Sequence, residues 1–452
     1  MAGIKTILAC FIVNAVLGGA VYADTGGELP EISSSDRVLV FAPHPDDESI
    51  GTAGVIQKAL HAHAELRIVC YTNGEHNEPA FIVYEKRIVL KKNEFIRLGE
   101  IRRQETLKAM DLLGVKKEQV FFLGYPDFGT MEILTKYWQT EKPYQSLLTR
   151  ISAVPYKEAV GYKSPYVGES ILRDIKTVIK DFKPTKIFVS HPGDTNRDHR
   201  ALYVFTKIAL WDLSGEIQAP AVFPYIIHVN GWPKPRGYHP DMYLDHPQTI
   251  LGCEWQKEFL TEDEIKMKHN SVRMYKSQIE CDPPYLFTFV RLNELFGDYP
   301  EITLHPGNEG SIVWEWLEPA HHIKNENNKS LDIGYACAND NLYIIFKSGA
   351  SGCRKLTSTI FLLGYSYNRE FSSMPKIQIT VNSRGILVKD KKEVLFIKEI
   401  KKFTLDNACM LVVPLSVLGS PDRILSCVKT IRGSLIPDEH SWRILVLSEK
   451  SH

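Results

Sequence analysis

Two short stretches of this chain gather residues that could do chemistry together. The first is His44-Pro45-Asp46-Asp47-Glu48, one imidazole and three carboxylates within five residues. The second is His191-Pro192-Gly193-Asp194-Thr195-Asn196-Arg197-Asp198-His199-Arg200, with two histidines and two aspartates. Crowding acids in this way is costly unless a cation or a hydrogen-bonding network satisfies them. Imidazole nitrogen and carboxylate oxygen are donors that zinc accepts. No cysteines are spaced as CxxC, so a thiolate metal site is not expected. No GxGxxG or P-loop pattern accompanies the first stretch, which argues against a phosphate cradle and a nicotinamide-dependent oxidoreductase. The expected chemistry is that of a bound metal ion.

The elements around these stretches would bring them to one edge of a sheet. Residues 38–42 (VLVFA) are apolar and partly β-branched, as in a strand buried on both faces, and residues 49–61 read as a helix. Open α/β sheets place ligands at such strand-to-helix turns. Residues 65–72 (ELRIVCYT) form a second buried strand, giving a βαβ unit and hence a parallel sheet. A third strand, residues 120–123, ends in Gly124-Tyr125-Pro126-Asp127, and a fourth, residues 186–190 (KIFVS), ends at the second chemical stretch. Residues 100–113 and 174–182 carry helical patterns, and another helix starts from Ala201. The fold class expected is α/β, a Rossmann-like layered parallel sheet with helices on both faces.

With HPDDE after the first strand and the histidine-bearing motif after a later one, residues 37 to about 245 resemble the PIG-L/LmbE-like family of zinc-dependent N-acetylglucosaminyl deacetylases. The resemblance implies His44, Asp47 and His199 as metal ligands, three protein donors that leave a position open for water. It implies Asp46 as the general base for a zinc-activated water, with Asp198 orienting the His199 ring. Family members often carry HPDH at the second motif, whereas this chain has Asn196-Arg197-Asp198-His199. Asn196 therefore stands where a histidine is expected, and an amide can donate a hydrogen bond to an oxyanion but cannot supply a proton. His228, in a strand-like run at residues 224–233, is the candidate for that task, or Asp46 does both. Arg102 resembles the arginine that reaches the sugar hydroxyls, and Asp127 its acidic partner. Glu48 is read as either a helix cap or a catalytic group. The same N₂O ligand set would accept divalent ions other than zinc.

Composition bounds the remaining possibilities. The 452 residues suggest two domains, and the 54 acidic and 54 basic residues balance, giving no field for nucleic acid or an anionic membrane. Residues 1–23 combine an apolar run with Val21-Tyr22-Ala23, the pattern of a secretory signal peptide cut before Asp24; an uncleaved membrane anchor is the alternative. No second stretch is long enough to span a membrane, so a periplasmic or extracellular location is expected. Residues 24–36 read as a linker, 37–298 as the deacetylase domain and 299–452 as an accessory β-sandwich. In the last segment, short β-branched and aromatic runs such as LDIGYAC, NLYIIFKS and KIQITV recur between turns. Seven cysteines remain after residue 23, with Cys337 and Cys353, or Cys409 and Cys427, conceivable disulfides. The reading is a secreted zinc-dependent deacetylase of an N-acetylated amino sugar or polysaccharide. Two alternatives stay open: a hydrolase of another amide or acyl group, and a carbohydrate-binding protein with a degenerate metal site.

Overall fold

Arg37–Ala42 (β2) is the strand on which the first unit is built, and its inner residues are all fully buried. The computed structural model describes residues 27–76, 92–307, 312–317, 331–348, 356–404, 408–432, 438–439 and 441–448. Residues 1–23, read above as a signal peptide, lie outside these. The chain divides into two compact units, Gly27–Tyr299 with Glu370–Ser373, and Pro300–Arg369 with Met374–His452. Among the described residues no helix is long and apolar enough to cross a membrane.

In the first unit the elements run β1 (Gly27–Glu28), β2, α1 (Asp47–His61), β3 (Glu65–Thr72), α2 (Lys92–Leu113), β4 (Val120–Tyr125), α3 (Thr130–Lys136), α4 (Gly168–Phe182), β5 (Lys186–Ser190), α5 (Arg197–Asp212), β6 (Ala221–Tyr225), β7 (Glu254–Phe259), α6 (Glu262–Val272), α7 (Lys276–Ile279), α8 (Pro283–Phe287) and β8 (Asn293–Asp298). The sheet order is β1-β7-β8-β6-β5-β2-β3-β4. Seven strands are parallel, and β8 alone runs against its neighbours β6 and β7. Val38, Val40 and Ala42 face one core with α1, α2 and α6, while Tyr71 on β3 meets Phe205 of α5. Helices thus cover both faces, as a parallel sheet requires. From β2 the chain winds outward through β3 and β4, then returns to β5 on the other side. The gap between the carboxyl ends of β2 and β5 is the switch point where such sheets open a crevice.

Several elements were not legible in the sequence. Strands β7 (EWQKEF) and β8 (NELFGD) are mixed in polarity, and α3 is short. The run at 224–233 is not a strand: β6 ends at Tyr225, so His228 sits in the loop beyond it. Helix α6 stops at Val272, and the chain resumes as the one-turn α7.

Among the described residues the second unit contains two sheets. One has the order β10-β12-β13-β19-β18, with β11 on β12, and the other β17-β16-β15-β14-β20-β22-β9, with β21 on β20. Here β9 is Ile302–Leu304, β10 Pro306–Gly307, β11 Glu315–Trp316, β12 Leu331–Ala338, β13 Asn341–Ser348, β14 Leu356–Tyr365, β15 Lys376–Asn382, β16 Gly385–Asp390, β17 Glu393–Leu395, β18 Lys401–Thr404, β19 Ala408–Pro414, β20 Arg423–Arg432, β21 Asp438–Glu439 and β22 Arg443–Leu447. All pairings are antiparallel except β10 with β12 and β22 with β9. Alternate residues from both sheets, such as Leu342, Ile344, Phe346 and Ile377, Ile379, Val381, share one core, which is the period-two burial of a sandwich. Cys409 and Cys427 lie on strands of separate sheets and form no disulfide. Cys353 lies outside the described residues.

Candidate active site

The turn after β2 is tight and fully buried from His44 to Glu48. Asp46 has φ 120°, a conformation that costs a residue with a Cβ and is kept where the surroundings over-determine it. That turn lets Asp46 and Asp47 aim differently. Asp47 turns back to accept from the His44 backbone N–H at 2.9 Å, and Asp46 reaches the Arg102 guanidinium at 3.1 Å.

Three donors converge from β2 and α5. Asp47 Oδ2 lies 3.3 Å from His44 Nδ1 and 3.1 Å from His199 Nε2, and the two nitrogens are 3.3 Å apart. Four donors placed tetrahedrally at about 2.0–2.1 Å from zinc would be about 3.3 Å from one another. The triangle therefore fits a metal ion with its fourth position open, and these three residues would hold it. Each ring is held by its other nitrogen. His44 Nε2 faces Asp127 Oδ1 at 3.2 Å and Asp198 Oδ2 at 3.5 Å, and His199 Nδ1 faces Asp194 Oδ2 at 3.1 Å. A carboxylate on one nitrogen places the hydrogen there and leaves the opposite lone pair for a metal.

Asp198 does not orient His199, contrary to the role the resemblance implied. Successive side chains on a helix point about 100° apart, so Asp198 and His199 cannot share a direction. Asp198 turns instead to the end of β4, accepting from the Phe128 and Thr130 backbone N–H groups and the Thr130 hydroxyl. The residue on His199 is Asp194, which also accepts from the backbone N–H groups of Asn196, Ile227 and His228. The sequence placed Asp194 in the motif without a role, because its partners on the β6 loop are far along the chain.

The other residues singled out are gathered here too, with altered roles. Arg102, buried on α2, donates to the carbonyls of Gly74 at 2.8 Å and Pro45 at 2.6 Å as well as to Asp46. It clamps the ends of β2 and β3 and also lines the cavity. Asp127 is likewise engaged, with Oδ2 accepting from the His76 N–H at 2.9 Å. Asn196 caps α5 by accepting from the Asp198 N–H at 2.9 Å, which leaves its NH₂ as the group toward the cavity. Glu48 accepts from the Asp46 N–H at 3.2 Å and from the Tyr275 hydroxyl, fixing the turn from within the core. Glu75 accepts from the Asp127 N–H at 3.2 Å.

Charge is arranged unevenly. Burial raises Asp46 to about 8; Arg102 opposes this, and the charges of Asp47 and Glu48 add to it. Burial also works against protonated His199, yet Asp194 and Asp47 outweigh it and lift the ring to about 9. His228 goes the other way: burial pushes it down to about 4, so it is neutral at pH 7. Its Nδ1 lies 2.7 Å from the Tyr285 hydroxyl, against whose ring it stacks. His44, Asp46, Asp47, Asn196, His228 and Tyr285 all open into one cavity of about 660 Å³.

The family model described as PIG-L: GlcNAc-PI de-N-acetylase matches residues 39–210. A probable N-acetyl-alpha-D-glucosaminyl L-malate deacetylase 2 from Bacillus anthracis is 31% identical over 159 residues, which are 33% of this chain and 63% of that protein. A 1D-myo-inositol 2-acetamido-2-deoxy-alpha-D-glucopyranoside deacetylase from Thermomonospora curvata is 37% identical over 94 residues, 21% of this chain and 30% of that one. The chain thus spans less than two thirds of the length of these curated relatives. Among solved structures, the N,N'-diacetylchitobiose deacetylase of Pyrococcus horikoshii aligns with TM-score 0.34 and 19% identity, over 58% of this chain and 83% of that one.

Proposed function

We propose, from the match of residues 39–210 to the PIG-L model, that the chain is a metal-dependent deacetylase that hydrolyses the acetamide of an N-acetylglucosamine-type sugar. The observation that carries the reading is the triangle of His44, Asp47 and His199, spaced as metal donors and opening into a cavity beside Asp46. The names of both curated relatives, each a deacetylase of a glucosamine derivative, support the substrate class.

When bound, a zinc ion would polarise water and the amide carbonyl and lower the proton affinity of Asp46. Asp46, steadied by Arg102, is the carboxylate placed to take the proton of the attacking water. The NH₂ of Asn196 and the ring of His228 are the donors available to the carbonyl oxygen as it gains charge. With the Tyr285 hydroxyl donating to Nδ1, His228 carries its hydrogen on Nε2 and can donate while neutral. A ring at about 4 holds no spare proton at pH 7, so Asp46, once protonated, is the group that returns the proton to the leaving amine. His228 therefore takes the hydrogen-bonding half of the task the missing histidine would have performed.

The proposal includes export, supported by the apolar run and small residues before Asp24. The test of the activity is release of acetate and free amine from N-acetylglucosamine and its oligomers. Wild type should release both in equal amounts, and Asp46→Asn should lose about 10²–10⁴ in kcat while keeping its metal. Metal bound with no amine released from any acetylated sugar would contradict the reading.

A further inference from the structure

The second unit carries an apolar tip that its own core does not use. The hairpin of β16 and β17 forms one edge of its sheet, with Val388 opposite Leu395 and Lys389 opposite Val394. Val388 is buried in the sandwich core, and Leu395 and Ile397 pack against that core. Alternation along the strands therefore turns Leu387, Lys389, Val394 and Phe396 to the outer face. There Leu387 is 43% exposed, Val394 49% and Phe396 96%. Among the described residues no other large apolar side chain is as exposed as Phe396. Apolar residues scattered singly on a surface are ordinary, but neighbours on one face of an edge hairpin form a patch.

The same stretch is basic. Residues 387–402 hold six lysines and three acidic residues, a net charge of +3 that the zero balance of the whole chain conceals. Lys389 lies on the outer face across from Val394, and Lys398 and Lys401 are exposed just beyond Phe396. An aromatic tip among lysines suits a lipid–water interface. The ring enters at the level of the headgroups, while the ammonium groups stay in water against anionic lipid. Pairing with a second copy along the free edge is a poorer fit. Strand β17 is only three residues long, with Lys392 and Glu393 at its start, and short charged edges resist such pairing.

We infer that the β16–β17 hairpin is a peripheral membrane anchor, which seats Phe396, Leu387 and Val394 in a bilayer bearing anionic lipid. The role needs neither the metal nor the deacetylase reaction.

The test is co-sedimentation with vesicles of phosphatidylcholine alone and of equimolar phosphatidylcholine and phosphatidylglycerol. The chain from Asp24 is the one to measure, because the apolar run of residues 7–20 would itself seek lipid, whereas the described structure begins at Gly27. Wild type should sediment with the anionic vesicles, stay in solution with phosphatidylcholine alone, and be released by high salt. Phe396→Ser should weaken the affinity about tenfold. Lys398→Gln and Lys401→Gln should each weaken it about fivefold. All three should melt as wild type does, since the replaced side chains are exposed. Phe396→Trp should bind as wild type does and gain a blue-shifted emission with the anionic vesicles only. Binding left unchanged by Phe396→Ser, equal binding to both compositions, or no binding to either would overturn the anchor. A wild type that ignores vesicles but sediments as a dimer, with Phe396→Ser a monomer, would overturn it in favour of a contact between copies of this chain.

Discussion

At the scale of single residues, Asp194 shows how the site is assembled. Its two oxygens accept from three backbone N–H groups and face His199 Nδ1, and against the effect of burial the neighbouring His199 and His228 hold it down at about 2. A permanent carboxylate there fixes both the ring of a metal donor and the loop that carries His228. Asp194→Ala should therefore weaken metal affinity by about 10–100-fold, measured by competition with a chelator of known affinity, with the fold retained. Unchanged affinity would remove Asp194 from the role given to it. The two motifs were legible as a candidate metal site from their residue types, and the resemblance singled out His44, Asp47 and His199, which the structure brings together. The carboxylates behind them were not legible. Whether Asp194 or Asp198 serves His199 depends on which way each leaves the first turn of α5, and composition says nothing about that. Arg102 and Asp127 were found by resemblance; both line the cavity and also bind the protein's own turns.

At the scale of elements, α1 is the piece most constrained by its surroundings. Its Gly54 is approached so closely that a Cβ would lie 2.1 Å from the Leu260 side chain and 3.1 Å from Glu294. Glu294 on β8 accepts from the Gly54 N–H at 2.8 Å and from Lys268 Nζ of α6 at 2.7 Å, with both charged groups buried. Lys268→Met would leave a buried carboxylate without its cation and should cost about 3–5 kcal/mol in denaturant unfolding. A loss under 1 kcal/mol would mean that the pair is not what seats α1 against β8. Strand β8 could not be read from the sequence because its polar residues earn their burial through such distant partners. Strands β2, β3 and β5 could be read because a strand covered on both faces has no choice but to be apolar.

The entry to β2 offers a pH test. Burial alone would raise Asp36, but hydrogen bonds from Lys186, Ser33 and Thr185 outweigh it and hold the carboxyl well below its usual range. A depressed carboxyl contributes stability that is present above its unfolded pKa, ~3.9, and is lost as pH falls through the folded value. Asp36→Asn should thus melt below wild type at pH 7, and the gap should narrow as pH drops under about 4. A gap independent of pH would contradict this.

At the scale of the whole molecule, the two units differ in what their sequences disclose. The second unit was readable as a sandwich from its recurring β-branched and aromatic runs between turns, although β16 and β20, GILVKD and RILSCVKTIR, were not among the runs read. The first unit was readable as a parallel sheet, and its topology explains why two motifs about 150 residues apart meet. Both lie at carboxyl ends of adjacent strands, β2 and β5, beside the switch point. The central claim is that these two turns build one metal site. It is tested most directly by metal content after purification and dialysis, for wild type, His199→Ala and Asp46→Asn. The account predicts about one divalent ion per chain in wild type and Asp46→Asn, and loss of that ion in His199→Ala. Metal retained in full by His199→Ala, or absent from wild type after incubation with zinc, would contradict it.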